Sequence, residues 1–115
     1  MFQFLRGIVL VAAVVTNCGF AFAQNLWLAK SRVDGCRAYL LTRTPAEFYF
    51  AAGVCSGIVE GLHYAGSGIC LPPNVSNEQA VRVVVKFIDD RPERLNEDFR
   101  ALAVEALKAA WPCKN

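Results

Sequence analysis

Apolar residues recur near the C-terminus at helical spacing. Leu95, Phe99, Leu102, Ala103, Ala106 and Ala110 share one stripe, and Glu97, Arg100, Glu105 and Lys108 lie outside it. The pattern predicts a helix that Pro112 stops. Upstream, Val81, Val83, Val84, Val85, Phe87 and Ile88 surround a narrow polar stripe of Arg82, Lys86 and Asp89 or Asp90. Val83-Val84-Val85 also suits a strand, but the S-x-x-Q capping box from Ser76 to Gln79 favours a largely buried helix. That helix ends near Arg91, because Pro92 follows. A second helix starts at Thr44-Pro45, with Thr44 as cap and Glu47 closing a T-x-x-E box, and runs to about Ala65. Gly66-Ser67-Gly68 ends it, and Pro72-Pro73 keeps the next loop extended. The first segment, Leu26 to Leu41, reads as one helix or two pieces, because Asp34-Gly35 favours a turn. The fold expected is all-α: a small single domain of four, or four to five, helices.

The first residues change the chain that has to be explained. Arg6 precedes an apolar run from Gly7 to Val15, and Ala21-Phe22-Ala23 matches a signal-peptidase site. A spanning helix needs about 20 apolar residues, whereas Thr16, Asn17 and Cys18 interrupt this run. Residues 1–23 are therefore expected to be a removed signal peptide and residues 24–115 the mature, periplasmic domain. Of twelve basic and ten acidic residues only Arg6 is lost, so the mature net charge is 11 − 10 = +1. That balance argues against nucleic acid, and against an anionic membrane after cleavage, as partner.

Cys36, Cys55, Cys70 and Cys113 remain after processing. An even count in a small exported chain reads as two disulfides, which a core of this size needs. Reach disfavours Cys55 with Cys70, since the chain would climb about 15 Å of helix and return in about five residues. An antiparallel hairpin of the first two helices instead brings Cys36 to Cys55 and leaves Cys70 for Cys113. The alternative is Cys36 with Cys70 and Cys55 with Cys113.

Catalysis finds little support. Gly53-Val54-Cys55-Ser56-Gly57 matches a cysteine nucleophile elbow, which needs a strand-to-helix turn, yet a capped helix precedes it. His63, the only histidine, sits eight residues along the same helix, about 12 Å away. There is no C-x-x-C or H-x-x-x-H, so no metal or other cofactor is expected. Gly66-Ser67-Gly68 follows a helix, the wrong end for an anion. What remains is the glycine stripe. Gly53, Gly57 and Gly61 cost roughly 3 kcal/mol of helix propensity together, and close approach of another helix would offset it. The favoured reading is an intrachain packing seam, with a homodimer as the other.

Taken together, "GCRAYL", "GVCSGIVEGL", "GICLPPNVSNEQAVRVVVKFIDDRPERL" and "EDFRALAVEALKAAWPC" resemble the Rap/Tai-type immunity proteins, periplasmic inhibitors of type VI secretion peptidoglycan amidases. The resemblance covers about Gly35 to Cys113 and rests on C-x-G, C-x-P, D-x-P-E-R and W-P-C in combination. Ile58 departs from it, since the family often has an aromatic there. The resemblance implies a small, disulfide-bonded, often dimeric helical protein, with no enzymatic activity, that plugs the groove of an amidase effector with an exposed loop. The loop expected to do so is Gly66 to Asn77, where Ser67, Asn74, Ser76 and Asn77 offer hydrogen-bonding groups; Asp89 to Asn96 is the second candidate. The competing reading is a small periplasmic acid-stress chaperone, or an envelope-interaction protein with no toxin partner.

Overall fold

A computed structural model describes residues 26–66 and 68–114, so the expected signal peptide and Ser67 lie outside the described residues. Within them the chain forms four α-helices: α1 (Ala29–Tyr39), α2 (Tyr49–Ala65), α3 (Asn77–Asp89) and α4 (Phe99–Ala110). Short 3-10 turns at Ala46–Phe48 and Pro92–Arg94 precede α2 and α4. The only extended pairings among the described residues are isolated bridges, Leu28 with Asp98 and Ile69 with Pro112.

Helix α1 passes unbroken through Asp34-Gly35. Its start has no side-chain cap; instead the Ala29 and Lys30 N–H groups donate to the carbonyls of Glu97 and Leu95, at 2.9 and 3.0 Å. The connection before α4 thus satisfies two of the four orphan donors that a helix start leaves. At the other end, the Thr44 hydroxyl donates to the Ala38 carbonyl at 2.9 Å. Thr44 therefore serves the end of α1, and the expected T-x-x-E box at the start of α2 does not form. Pro45 leads into a 3-10 turn, and α2 begins only at Tyr49.

The later helices start on side-chain caps. Ser76 Oγ accepts from the Gln79 N–H at 3.1 Å and opens α3. Asp98 accepts from the Arg100 N–H at 2.8 Å and opens α4 four residues after Leu95, so Leu95 belongs to the connection. Such caps contribute about 1 kcal/mol each.

One core joins all four helices. Val33 and Cys36 from α1, Cys55 and Val59 from α2, Val81, Val84 and Ile88 from α3, and Phe99, Leu102 and Leu107 from α4 meet in it. No polar or charged side chain among the described residues is buried. The tightest crossing is between α1 and α2, at Gly35. A Cβ there would lie 2.5 Å from the Ala51 carbonyl oxygen, so only glycine fits.

The stripe of Gly53, Gly57 and Gly61 does not form the expected intrachain seam. A Cβ built on any of the three meets nothing within 4 Å. The reason is helical phase: Cys55 and Val59 face the core, and Gly57 lies about 160° round the helix from each. The glycine that brings two helices together is Gly35, on α1.

Candidate partner-binding site

Two disulfides frame the molecule. Cys36 joins Cys55 across the α1–α2 crossing, and Cys70 joins Cys113, with Cα separations of 5.2 and 4.9 Å. The first is buried and the second is exposed. Because Cys55 is bonded and 2% exposed, the G-x-C-x-G stretch presents no thiol. His63 stacks on Tyr64, with ring centroids 4.8 Å apart, and no group of described residues has the makings of a metal site.

The loop from Gly66 to Ser76 is pinned at its base. Cys70 N–H donates to the Trp111 carbonyl at 2.9 Å, Cys113 N–H to the Gly68 carbonyl at 3.4 Å, and Ile69 bridges Pro112. Gly68 adopts φ 77°, a left-handed conformation that suits glycine. Beyond this base, a turn closed by Val75 N–H to the Pro72 carbonyl at 3.1 Å projects Pro72, Pro73 and Asn74 into solvent. Two fixed-φ residues and a disulfide leave this tip little freedom to lose on binding.

The four polar residues expected to work together divide. Asn77 Nδ2 donates to the Ser56 carbonyl and to Ser56 Oγ, at 3.2 and 3.0 Å, and so locks the start of α3 to α2. Ser76 caps α3. Asn74 stands exposed at the turn, and Ser67 is outside the described residues.

The second candidate loop, Asp89 to Asn96, is turned inward chemically. Arg94 forks between Glu97 and Glu105, each with bonds of 2.6 and 2.9 Å. Its guanidinium holds both carboxyls below the usual range, and they raise its own pKa. Arg91 lies over the Phe87 ring at 3.7 Å. The backbone of the segment caps α1. Its groups are largely committed to the fold.

A comparison with protein families adds the decisive observation: the model for Rap1a immunity proteins matches residues 25–113. The chain belongs to the Rap1a immunity proteins. The match takes in all four helices, both disulfides and the pinned loop. No curated protein and no solved structure matches the chain. An immunity protein acts by binding a toxin, and the two disulfides accord with an exported Rap1a protein.

Two features escaped sequence reasoning. Two guanidinium groups lie over the Trp27 ring, Arg32 at 4.7 Å and Arg100 at 4.5 Å from its centroid, and the Arg100 contact joins residues too distant in sequence to predict. The other is the exposed face of α2, which carries Tyr49, Phe50 and Tyr64 at 63%, 80% and 81% exposure. Its signal was the phase of these aromatics relative to Cys55.

Proposed function

We propose that this Rap1a protein is a periplasmic immunity protein that binds a peptidoglycan amidase effector of type VI secretion and blocks its substrate groove. The observation that carries the reading is the family match, read with the loop that Cys70–Cys113 holds out from the bundle. The tip Pro72-Pro73-Asn74 enters the groove as a preformed wedge. Asn74 offers one acceptor and two donors to groups that otherwise bind the peptide substrate; Ser67 belongs to the same loop. Inhibition is occlusion, so the inhibitor performs no chemistry. Ser76 and Asn77 act indirectly, by fixing where the loop re-enters α3.

The test is a titration of amidase turnover on peptidoglycan by the mature protein, with Asn74→Lys as the variant. Asn74 lies on an exposed turn, so the variant keeps its fold. We expect its inhibition constant to rise about 100-fold, the effect of forcing a charge into a desolvated contact. An unchanged constant would remove the loop from the mechanism.

A further inference from the structure

The foot of the pinned loop is built from three stretches: the last turn of α2 with Gly66 (residues 62–66), the loop from Gly68 to Ser76, and the last turn of α4 with the chain beyond it (107–114). None of them carries an Asp or Glu, and two lysines, Lys108 and Lys114, stand exposed among them. Elsewhere Arg37, Arg82, Lys86, Arg94 and Arg100 each hold a carboxylate. Among the described residues Lys108 and Lys114 hold none. Lys30 and Arg43 also lack one, but they lie at opposite ends of α1.

Lys108 is directed at the loop. Its neighbour one turn back, Glu105, is taken by Arg94, and the lysine side chain lies instead against Gly68. A Cβ at Gly68 would stand 2.9 Å from Lys108 Cε and 3.5 Å from its Nζ. Glycine at this position therefore supplies both the left-handed φ and the room for an ammonium group. Lys114 follows Cys113, which is bonded to Cys70 and whose N–H donates to the Gly68 carbonyl. Past the loop, the first carboxylate in sequence is Glu78, and Arg82 holds it.

We propose that Lys108 and Lys114 form a cationic footing that docks on an acidic rim around the toxin's groove, which rests on the reading that the loop enters that groove. The tip Pro72-Pro73-Asn74 is uncharged and fills the groove by shape. The lysines act earlier, because unopposed charges at a solvent-exposed rim draw an oppositely charged partner in and orient it. A basic rim would instead be repelled. A lipid surface is a poorer fit, since recognition of anionic headgroups takes clusters of about four to eight basic residues, more than this foot supplies.

Association kinetics of the mature protein with a purified type VI secretion amidase effector, at about 0.05 M and about 1 M salt, test this. Across that range the Debye length falls from above 10 Å to about 3 Å. Wild-type association is expected to slow about tenfold at high salt. Lys108→Glu with Lys114→Glu should associate about 30-fold more slowly at low salt and match the wild type at high salt, with its dissociation rate within about twofold. Both side chains are exposed and unpaired, so this variant keeps its circular dichroism and melting temperature. Lys108→Arg, which keeps the charge, should keep the wild-type rate. A complex whose association ignores both salt and the double charge reversal overturns the proposal and leaves the loop reading standing. Faster association of the double variant overturns it by giving the rim the opposite sign. Capture of the wild type, but not of the double variant, by vesicles of anionic phospholipid overturns it by assigning the lysines to lipid. No complex with any amidase effector overturns the loop reading together with this one.

Discussion

The two disulfides close loops of different length and belong to different kinds of structure. Cys36–Cys55 spans 19 residues and lies inside the core, beside the Gly35 crossing. Cys70–Cys113 spans 43 residues, lies at the surface, and ties the base of the loop to the chain end. In the chain-entropy model the closures are worth about 3 and about 4 kcal/mol. Energy therefore does not separate them. What separates them is what each holds: the first fixes how two helices cross, and the second fixes where a loop points.

Removing each bond separates the two roles. Cys36→Ala with Cys55→Ala loses the closure term and the packing of two buried sulfurs, so we expect a loss of about 4–5 kcal/mol in denaturant unfolding. Cys70→Ser with Cys113→Ser costs about 3–4 kcal/mol, and its signature is local. Hydrogen exchange should accelerate at the backbone amides of positions 70 and 113, which in the oxidised protein bond the Trp111 and Gly68 carbonyls, while the centre of α1 keeps its protection. A variant that loses protection evenly would mean that the surface bond also organises the core.

Gly35→Ala sharpens the comparison from the core side. The added methyl meets backbone of Ala51, and α1 cannot move away because the neighbouring Cys36 is bonded to α2. A loss of about 2–3 kcal/mol is expected, although the same change in an unpacked helix would stabilise it by about 1 kcal/mol. A neutral or stabilising result would contradict the close crossing. Access gives the next test: a small dithiol under native conditions should open the exposed Cys70–Cys113 bond before the buried one. Mass mapping of alkylated thiols reads the order, and first labelling at Cys36 and Cys55 would contradict it.

The smallest effect is electrostatic. Arg37 forks onto Asp89 at 2.7 and 2.9 Å, tying α1 to the end of α3. Its hydrogen bonds hold the Asp89 carboxyl below the ordinary carboxylate range. A depressed folded-state pKa means that the unfolded chain binds the proton more readily. The stabilisation is present above about pH 4 and is lost as pH falls through the lower folded value. Both side chains are nearly half exposed, so solvent screening limits the pair to at most about 0.5 kcal/mol. Asp89→Asn should flatten that part of the acid stability curve, and an unaltered curve would assign the slope to other carboxylates.

How much was legible in the sequence depended on whether the deciding contact was local. The Ser76 box was readable because the cap and its Gln79 amide lie three residues apart. The Thr44 box was misread because a hydroxyl at a chain reversal can serve the helix before it or the one after it, and nothing in T-x-x-E decides which. Asp34-Gly35 looked like a turn, since a glycine within a helix marks either a break or a close approach. Only the position of Ala51 on another helix distinguishes them. The glycine stripe was misassigned even though its direction was readable. Cys55, once bonded to Cys36, must face α1, and Gly57 lies about 160° away on the same helix.

For the candidate loop, Gly66-Ser67-Gly68 and Pro72-Pro73 marked its extent in the sequence. Which of its polar residues were already engaged depended on Ser56, 21 residues before Asn77. That contact is invisible to spacing.

The central claim is that the loop held by Cys70–Cys113 blocks an amidase. The direct measurement is release of peptide from purified peptidoglycan by a type VI secretion amidase effector, titrated with the oxidised mature protein and with the folded Cys70→Ser, Cys113→Ser variant. The account predicts stoichiometric loss of turnover with the first and at least about tenfold weaker inhibition with the second. Full turnover at saturating oxidised protein, across amidase effectors, would contradict the immunity reading; equal inhibition by both forms would contradict the role of the pinned loop.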